Sequence, residues 1–98
     1  MLFITTYTPR ARASEAEEKR VLQLFANWKP AAGHDIKGWW ATPSGLGVQV
    51  SEADSVAAIM ESISPWGVYF EFKVEPAAEI GQVAEALGKA VAWRESVK

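Results

Sequence analysis

The sequence predicts an α+β fold in which a four-stranded antiparallel sheet carries its helices on one face. Three observations lead there. The run Val68–Val74 alternates, with Val68, Phe70, Phe72 and Val74 on one side and Tyr69, Glu71 and Lys73 on the other, which is the period of a half-buried strand. Pro43-Ser44-Gly45 joins two strand-like runs so closely that only an antiparallel hairpin fits. Stretches with apolar residues three and four apart separate the remaining strands.

In chain order, Leu2–Thr8 is rich in β-branched and aromatic residues and reads as the first strand, closed by Pro9. Ser14 and Glu17 have the spacing of a capping box and open the first helix, whose stripe is Val21, Leu24, Phe25 and Trp28. Pro30 stops that helix and Gly33 lets the chain turn. Asp35–Thr42 is the second strand and Leu46–Val50 the third. Ser51 and Asp54 are competent caps for a second helix with the stripe Val56, Ile59, Met60 and Ile63. Pro65 ends it, and Trp66-Gly67 leads into the fourth strand, closed by Pro76. From Ala77 a third helix follows, with the stripe Ile80, Val83, Leu87 and Val91. Gly81 and Gly88 each weaken that helix by about 1 kcal/mol relative to alanine. The order is β-α-β-β-α-β-α, and its first six elements are the split β-α-β, or ferredoxin-like, arrangement. Residues 1–98 are read as a single domain: a core over 1–76 and an additional C-terminal helix over 77–97.

Composition bounds the partners. With 49% hydrophobic and 22% charged residues the chain reads as an ordinary globular domain. It has no cysteine, so no disulfide supplements a small core, and self-association is the remaining cheap route to stability. A formal net charge of −2 argues against a nucleic-acid binder. The basic residues Arg10, Arg12, Lys19 and Arg20 are interrupted by Glu15, Glu17 and Glu18 and read as a solvated helix start. No apolar run reaches membrane-span length and the N-terminus lacks a secretory pattern, so no membrane partner and a cytoplasmic location are expected.

The alternation assigns the sheet faces. Ile36, Trp40, Val48 and Val50 are expected to join Phe70 and Phe72 beneath the helices. The opposite face then carries Lys37, Trp39, Gln49, Tyr69, Glu71 and Lys73. It meets either solvent or the same face of a second copy. Trp39 and Tyr69 favour the second copy, since both types are enriched at interfaces.

The pattern G-x-x-I-x-G-W-W (Gly33–Trp40) resembles a family of short bacterial proteins of unassigned function. So do the compact turn, the run V-S-E-A-D-S before the second helix, S-P-W before the last strand, and F-x-F-x-V-E-P. The resemblance covers roughly Met1 to Ile80. It implies membership of the dimeric α+β barrel superfamily: a homodimer with facing sheets and a pocket between sheet and helices in each subunit. That superfamily includes monooxygenases without metal or haem, lactone isomerases, polyketide cyclases, dye-decolourising peroxidases and ligand-sensing domains. The resemblance therefore fixes no activity.

Chemistry-bearing residues are few. His34 is the only histidine and, with Tyr7, the candidate proton carrier. The plainer reading of His34 is a surface histidine at a loop-to-strand junction. One histidine and no cysteine do not make a usual zinc or haem site, so no metal and no cofactor are expected. Gly45-Leu46-Gly47 is a hairpin turn and not a dinucleotide fingerprint. Trp28, Trp40, Trp66, Phe70 and Phe72 are candidate walls of an apolar pocket, against the alternative that they are core. Two functions follow. One is a homodimer that binds a small apolar or aromatic molecule or serves as an assembly module. The other is a cofactor-independent monooxygenase, isomerase or cyclase acting on an aromatic or polyketide-like substrate.

Overall fold

Eight elements build the chain in a computed structural model that describes residues 1–11 and 14–98; Arg12 of the basic cluster lies outside the described residues. They are β1 (Leu2–Pro9), α1 (Glu15–Ala26), β2 (His34–Ala41), β3 (Gly47–Ala53), α2 (Val56–Ile63), a single 3₁₀ turn over Ser64–Trp66, β4 (Phe70–Pro76) and α3 (Ile80–Ser96). The sheet order is β2-β3-β1-β4, with every pairing antiparallel. This is an α+β architecture compatible with a ferredoxin-like fold.

Local chemistry sets the boundaries. Ser14 caps α1, its Oγ accepting the Glu17 N–H at 3.2 Å. The β2–β3 turn closes through Gly45 N–H to Thr42 O at 3.0 Å, and Gly45 takes φ +93°, which other residues rarely adopt. β3 runs three residues further than the alternation predicts, because Ser51 and Glu52 pair with β1 on one side and β2 on the other. Neither Ser51 nor Asp54 therefore caps α2. That role falls to Ser55, whose Oγ accepts the Ala58 N–H at 3.2 Å. β4 starts two residues later than expected, because the 3₁₀ turn and Gly67 precede it, and Val68 is exposed before the strand begins.

The core lies between α2 and the sheet. Phe3, Ala53, Ile59 and Ile63 are its buried members, with Phe72 and Val74 packed against them. α2 presents Ala58, Ile59, Ser62 and Ile63 to the sheet, so Val56 and Met60 of the expected stripe face outward, half exposed.

One irregularity rearranges the sheet faces. Ile36 pairs with Ser51, but the next β3 residue, Val50, pairs with Gly38, so Lys37 is an extra residue in β2. A bulge of this kind shifts the alternation by one. Beyond it, Trp39 pairs with Gln49 and Trp40 with Val48. Trp39 and Gln49 therefore share the helix-facing side with Thr5, Tyr7 and Ser51. Trp40, Val48 and Val50 lie on the open side with Ile4. The sequence expectation had Trp39 and Gln49 exchanged with Trp40, Val48 and Val50.

No helix among the described residues is long and apolar enough to cross a membrane. α3 buries none of its residues.

Candidate functional site

A cavity of about 320 Å³ opens on the helix-facing side of the sheet, between α1 and the strands. Its walls come from every layer: Tyr7 of β1, Trp39 of β2, Gln49 of β3, Phe70 and Phe72 of β4, and Trp66 of the 3₁₀ turn. Val21, Leu22 and Phe25 of α1, Trp28 just beyond it and Ile63 of α2 complete the lining. The interior is therefore almost wholly apolar and mostly aromatic.

The rings brace one another. Tyr7 meets Phe70 edge-on at 5.3 Å between centroids and Phe72 at 5.5 Å. Phe25 and Trp28 each meet Trp39 edge-on, at 5.5 and 5.8 Å, and Trp28 meets Trp66 at 6.0 Å. These are the offset and edge-to-face arrangements that aromatic quadrupoles favour. Two hydrogen bonds fix indole orientations. Trp28 Nε1–H donates to the Ser62 carbonyl at 3.0 Å, tying the end of α1 to α2. Trp39 Nε1–H donates to the Tyr7 hydroxyl at 2.7 Å, bridging over β3 from β2 to β1. Gly47 makes that bridge fit, since a Cβ there would collide with the Tyr7 ring.

Polar groups at the cavity are few. Gln49 is only 4% exposed, and its Oε1 is buried without a hydrogen-bond partner. The Tyr7 hydroxyl, having accepted from Trp39, keeps its own proton to donate.

His34 lies elsewhere. It borders a separate depression with Gly33, Asp35, Glu52 and Asp54, and it is buried at 6% exposure, not a surface histidine. Its Nδ1 is 2.8 Å from Ser62 Oγ. Ser62 Oγ–H donates to the Ala58 carbonyl, and the same oxygen accepts the Ala31 N–H at 2.8 Å. The ring therefore donates through Nδ1–H, leaving the lone pair on Nε2 buried and unpartnered. Burial holds the imidazole below its ordinary value, with Asp35 opposing the shift. This geometry ties β2 to α2.

Tyr7, Trp28, Trp66, Phe70 and Phe72 come together at the cavity, while Trp40 and His34 do not. Of the residues expected on a dimer face, Trp39 and Gln49 line the cavity instead, Trp39 because of the bulge at Lys37 and Gln49 because β3 pairs it with Thr5 of β1. Lys37 itself pairs with Asp35 at 2.6 Å. Tyr69 sits in the turn before β4, its carbonyl accepting the Arg10 N–H at 3.0 Å. Glu71 and Lys73 do lie exposed on the open side. Leu22 and Gln49 escaped sequence reasoning: Leu22 is off the α1 stripe, and the face of Gln49 follows only from the pairing of β3. Among the described residues, no three of His, Cys, Asp and Glu gather as metal ligands.

The sequence pattern of one protein family, described as "Domain of unknown function (DUF3303)", matches residues 1–91. The chain belongs to this family. The match runs to Val91, so the family pattern takes in most of α3, where the resemblance read from the motifs stopped near Ile80. No curated protein and no solved structure matches the chain.

Proposed function

We propose that this member of the DUF3303 family is a homodimer of the dimeric α+β barrel type that binds a small apolar or aromatic molecule. The observation that carries the binding role is the cavity: about 320 Å³, within the range of small-molecule sites, walled by braced rings. A core assembled only for stability closes such a space, because unfilled apolar volume is costly. Edge-to-face rings around a slot also suit a flat guest.

The self-pairing rests on surface. The chain exposes 7355 Å². A compact monomer of 10.7 kDa exposes about 5,500 Å². Burying that excess on two copies gives an interface in the range of obligate dimers, about 2,000–5,000 Å². The open sheet face, with Ile4, Trp40, Val48 and Val50 at its centre, supplies one apolar patch. The stripe of α3 supplies another.

A catalytic use of the same cavity, as a cofactor-independent monooxygenase, isomerase or cyclase, falls on Tyr7 and not on His34, whose ring lies outside it. An assembly role without a ligand leaves the cavity unexplained.

A panel of one- to three-ring aromatics tests the binding role by thermal shift. Saturable binding and a rise in Tm are expected for at least one member. Val21→Trp, which puts an indole into the space from α1, removes the shift. If every member leaves Tm unchanged at saturating solubility, ligand binding is wrong.

A further inference from the structure

We infer that the cavity selects a flat aromatic molecule carrying a hydroxyl group, a phenol-like ligand held by Gln49 and Tyr7. This rests on the reading of the cavity as a ligand site and adds the chemistry of its guest.

Gln49 carries an unmet cost. Gln49 is 4% exposed, lies on the helix-facing side of β3 and lines the cavity. Its Oε1 has no partner. A buried amide oxygen without a donor is expensive, and in folded proteins such atoms are rarely left so. Its cross-strand neighbours on that side are Trp39, whose N–H is committed to Tyr7, and Thr5, whose own Oγ1 is likewise buried without a partner and makes no hydrogen bond to the amide. As the amide stands its oxygen is closed to a water-sized group, so a guest donor in the cavity meets it only once the amide turns and exchanges its oxygen and nitrogen. A purely aromatic guest has none.

Tyr7 supplies the complement. Its oxygen accepts the Trp39 N–H at 2.7 Å, which fixes the phenol in the cavity wall and leaves its O–H to donate. The Trp39 bridge crosses β3 from the residue paired with Gln49, so the hydroxyl and the amide belong to one stretch of the floor. A ligand hydroxyl answers both: it donates to the amide oxygen and accepts from the tyrosine. It also tolerates the unturned amide, because a hydroxyl accepts as readily as it donates. A carboxylate fits poorly, since none of the residues lining the cavity carries a cationic side chain to balance its charge. The rings of Phe25, Trp28, Phe70 and Phe72 then enclose the flat apolar body.

Three matched probes separate the contributions: 2-naphthol, which donates and accepts; 2-methoxynaphthalene, which only accepts; and naphthalene, which does neither. Isothermal titration calorimetry on the wild-type chain should give 2-naphthol the tightest binding, ten-fold or more over naphthalene. In Gln49→Leu, 2-naphthol should fall to the level of 2-methoxynaphthalene while naphthalene binding persists. In Tyr7→Phe, the two oxygenated probes should fall towards naphthalene. Near-ultraviolet circular dichroism checks that each variant is folded, and either variant alone suffices for the test. Equal affinity for all three probes in the wild type overturns the inference and leaves the cavity a binding site. A preference for 2-naphthol that survives both substitutions overturns the roles of Gln49 and Tyr7. If none of the three binds, the ligand reading of the cavity falls and this inference falls with it.

Discussion

Ser62 controls the protonation of His34, and that has a consequence for stability. With its proton given to Ala58 and two bonds accepted, Ser62 holds the ring as the Nδ1–H tautomer, and Nε2 has no buried partner to receive a second proton's charge. The folded state therefore binds that proton less readily than the unfolded chain, whose histidine titrates near 6.5. Stability is fully present above that value and falls as pH drops towards the lower folded pKa. Urea midpoints between pH 7.5 and 5 should decline more steeply for the wild type than for His34→Gln. Parallel curves for the two proteins would remove His34 from the account. A second residue acts through space alone. Gly47 lies beneath the Tyr7 ring with no room for a Cβ. Gly47→Ala should cost about 1–3 kcal/mol in chemical denaturation, the usual penalty for overpacking. It should also weaken any aromatic ligand by displacing Tyr7. Unchanged stability would mean that the ring moves aside freely.

At the scale of elements, the ends of β3 and α2 carry the sharpest test. Ser55 caps α2 with a hydrogen bond to Ala58 N–H, so Ser55→Ala should cost about 1 kcal/mol. Ser51 is fully buried and its Oγ has no partner, so Ser51→Ala should be neutral or stabilising. Thermal denaturation separates the two, and a larger loss at Ser51 would return the cap to the position that spacing alone suggests. The sequence placed seven elements and their types because each has its own periodicity and punctuation: Ser14 before α1, Pro43-Ser44-Gly45 in the hairpin, Pro65 after α2. What it could not give was the extra residue at Lys37. A bulge leaves no mark in residue types, yet it exchanged the faces of Trp39 and Trp40 and thereby the membership of the cavity. Tyr7, Trp28, Trp66, Phe70 and Phe72 were legible because they lie clear of that shift. Gln49 was not, since glutamine at an alternating position reads as solvent-facing until the pairing of β3 is known.

The whole molecule is extended for its length. Its radius of gyration is 17.9 Å, with extents of 64 × 29 × 18 Å. A compact chain of this size has a radius near 12.5 Å. α3 explains much of the difference: 17 residues span about 26 Å, and none of them is buried. Ile80, Leu87 and Trp93 are largely exposed and Val83 and Val91 partly so, although the helix has a continuous apolar stripe. Tertiary packing, not propensity, holds most protein helices, and the two glycines within α3 lower its own propensity further. In the proposed dimer a second copy covers this stripe. The double variant Leu87→Asp, Val91→Asp places two carboxylates there, and desolvating them without partners should weaken pairing by at least about 3 kcal/mol, or roughly 100-fold in Kd. Light scattering should then show the wild type at twice 10.7 kDa and the variant at 10.7 kDa over the same concentrations. The wild-type Tm should rise with protein concentration and the variant's should not, since association stabilises by mass action. A wild type that stays at 10.7 kDa at every concentration sinks the dimer. A variant that remains paired with an unchanged Tm confines the interface to the open sheet face and leaves the stripe of α3 without its partner.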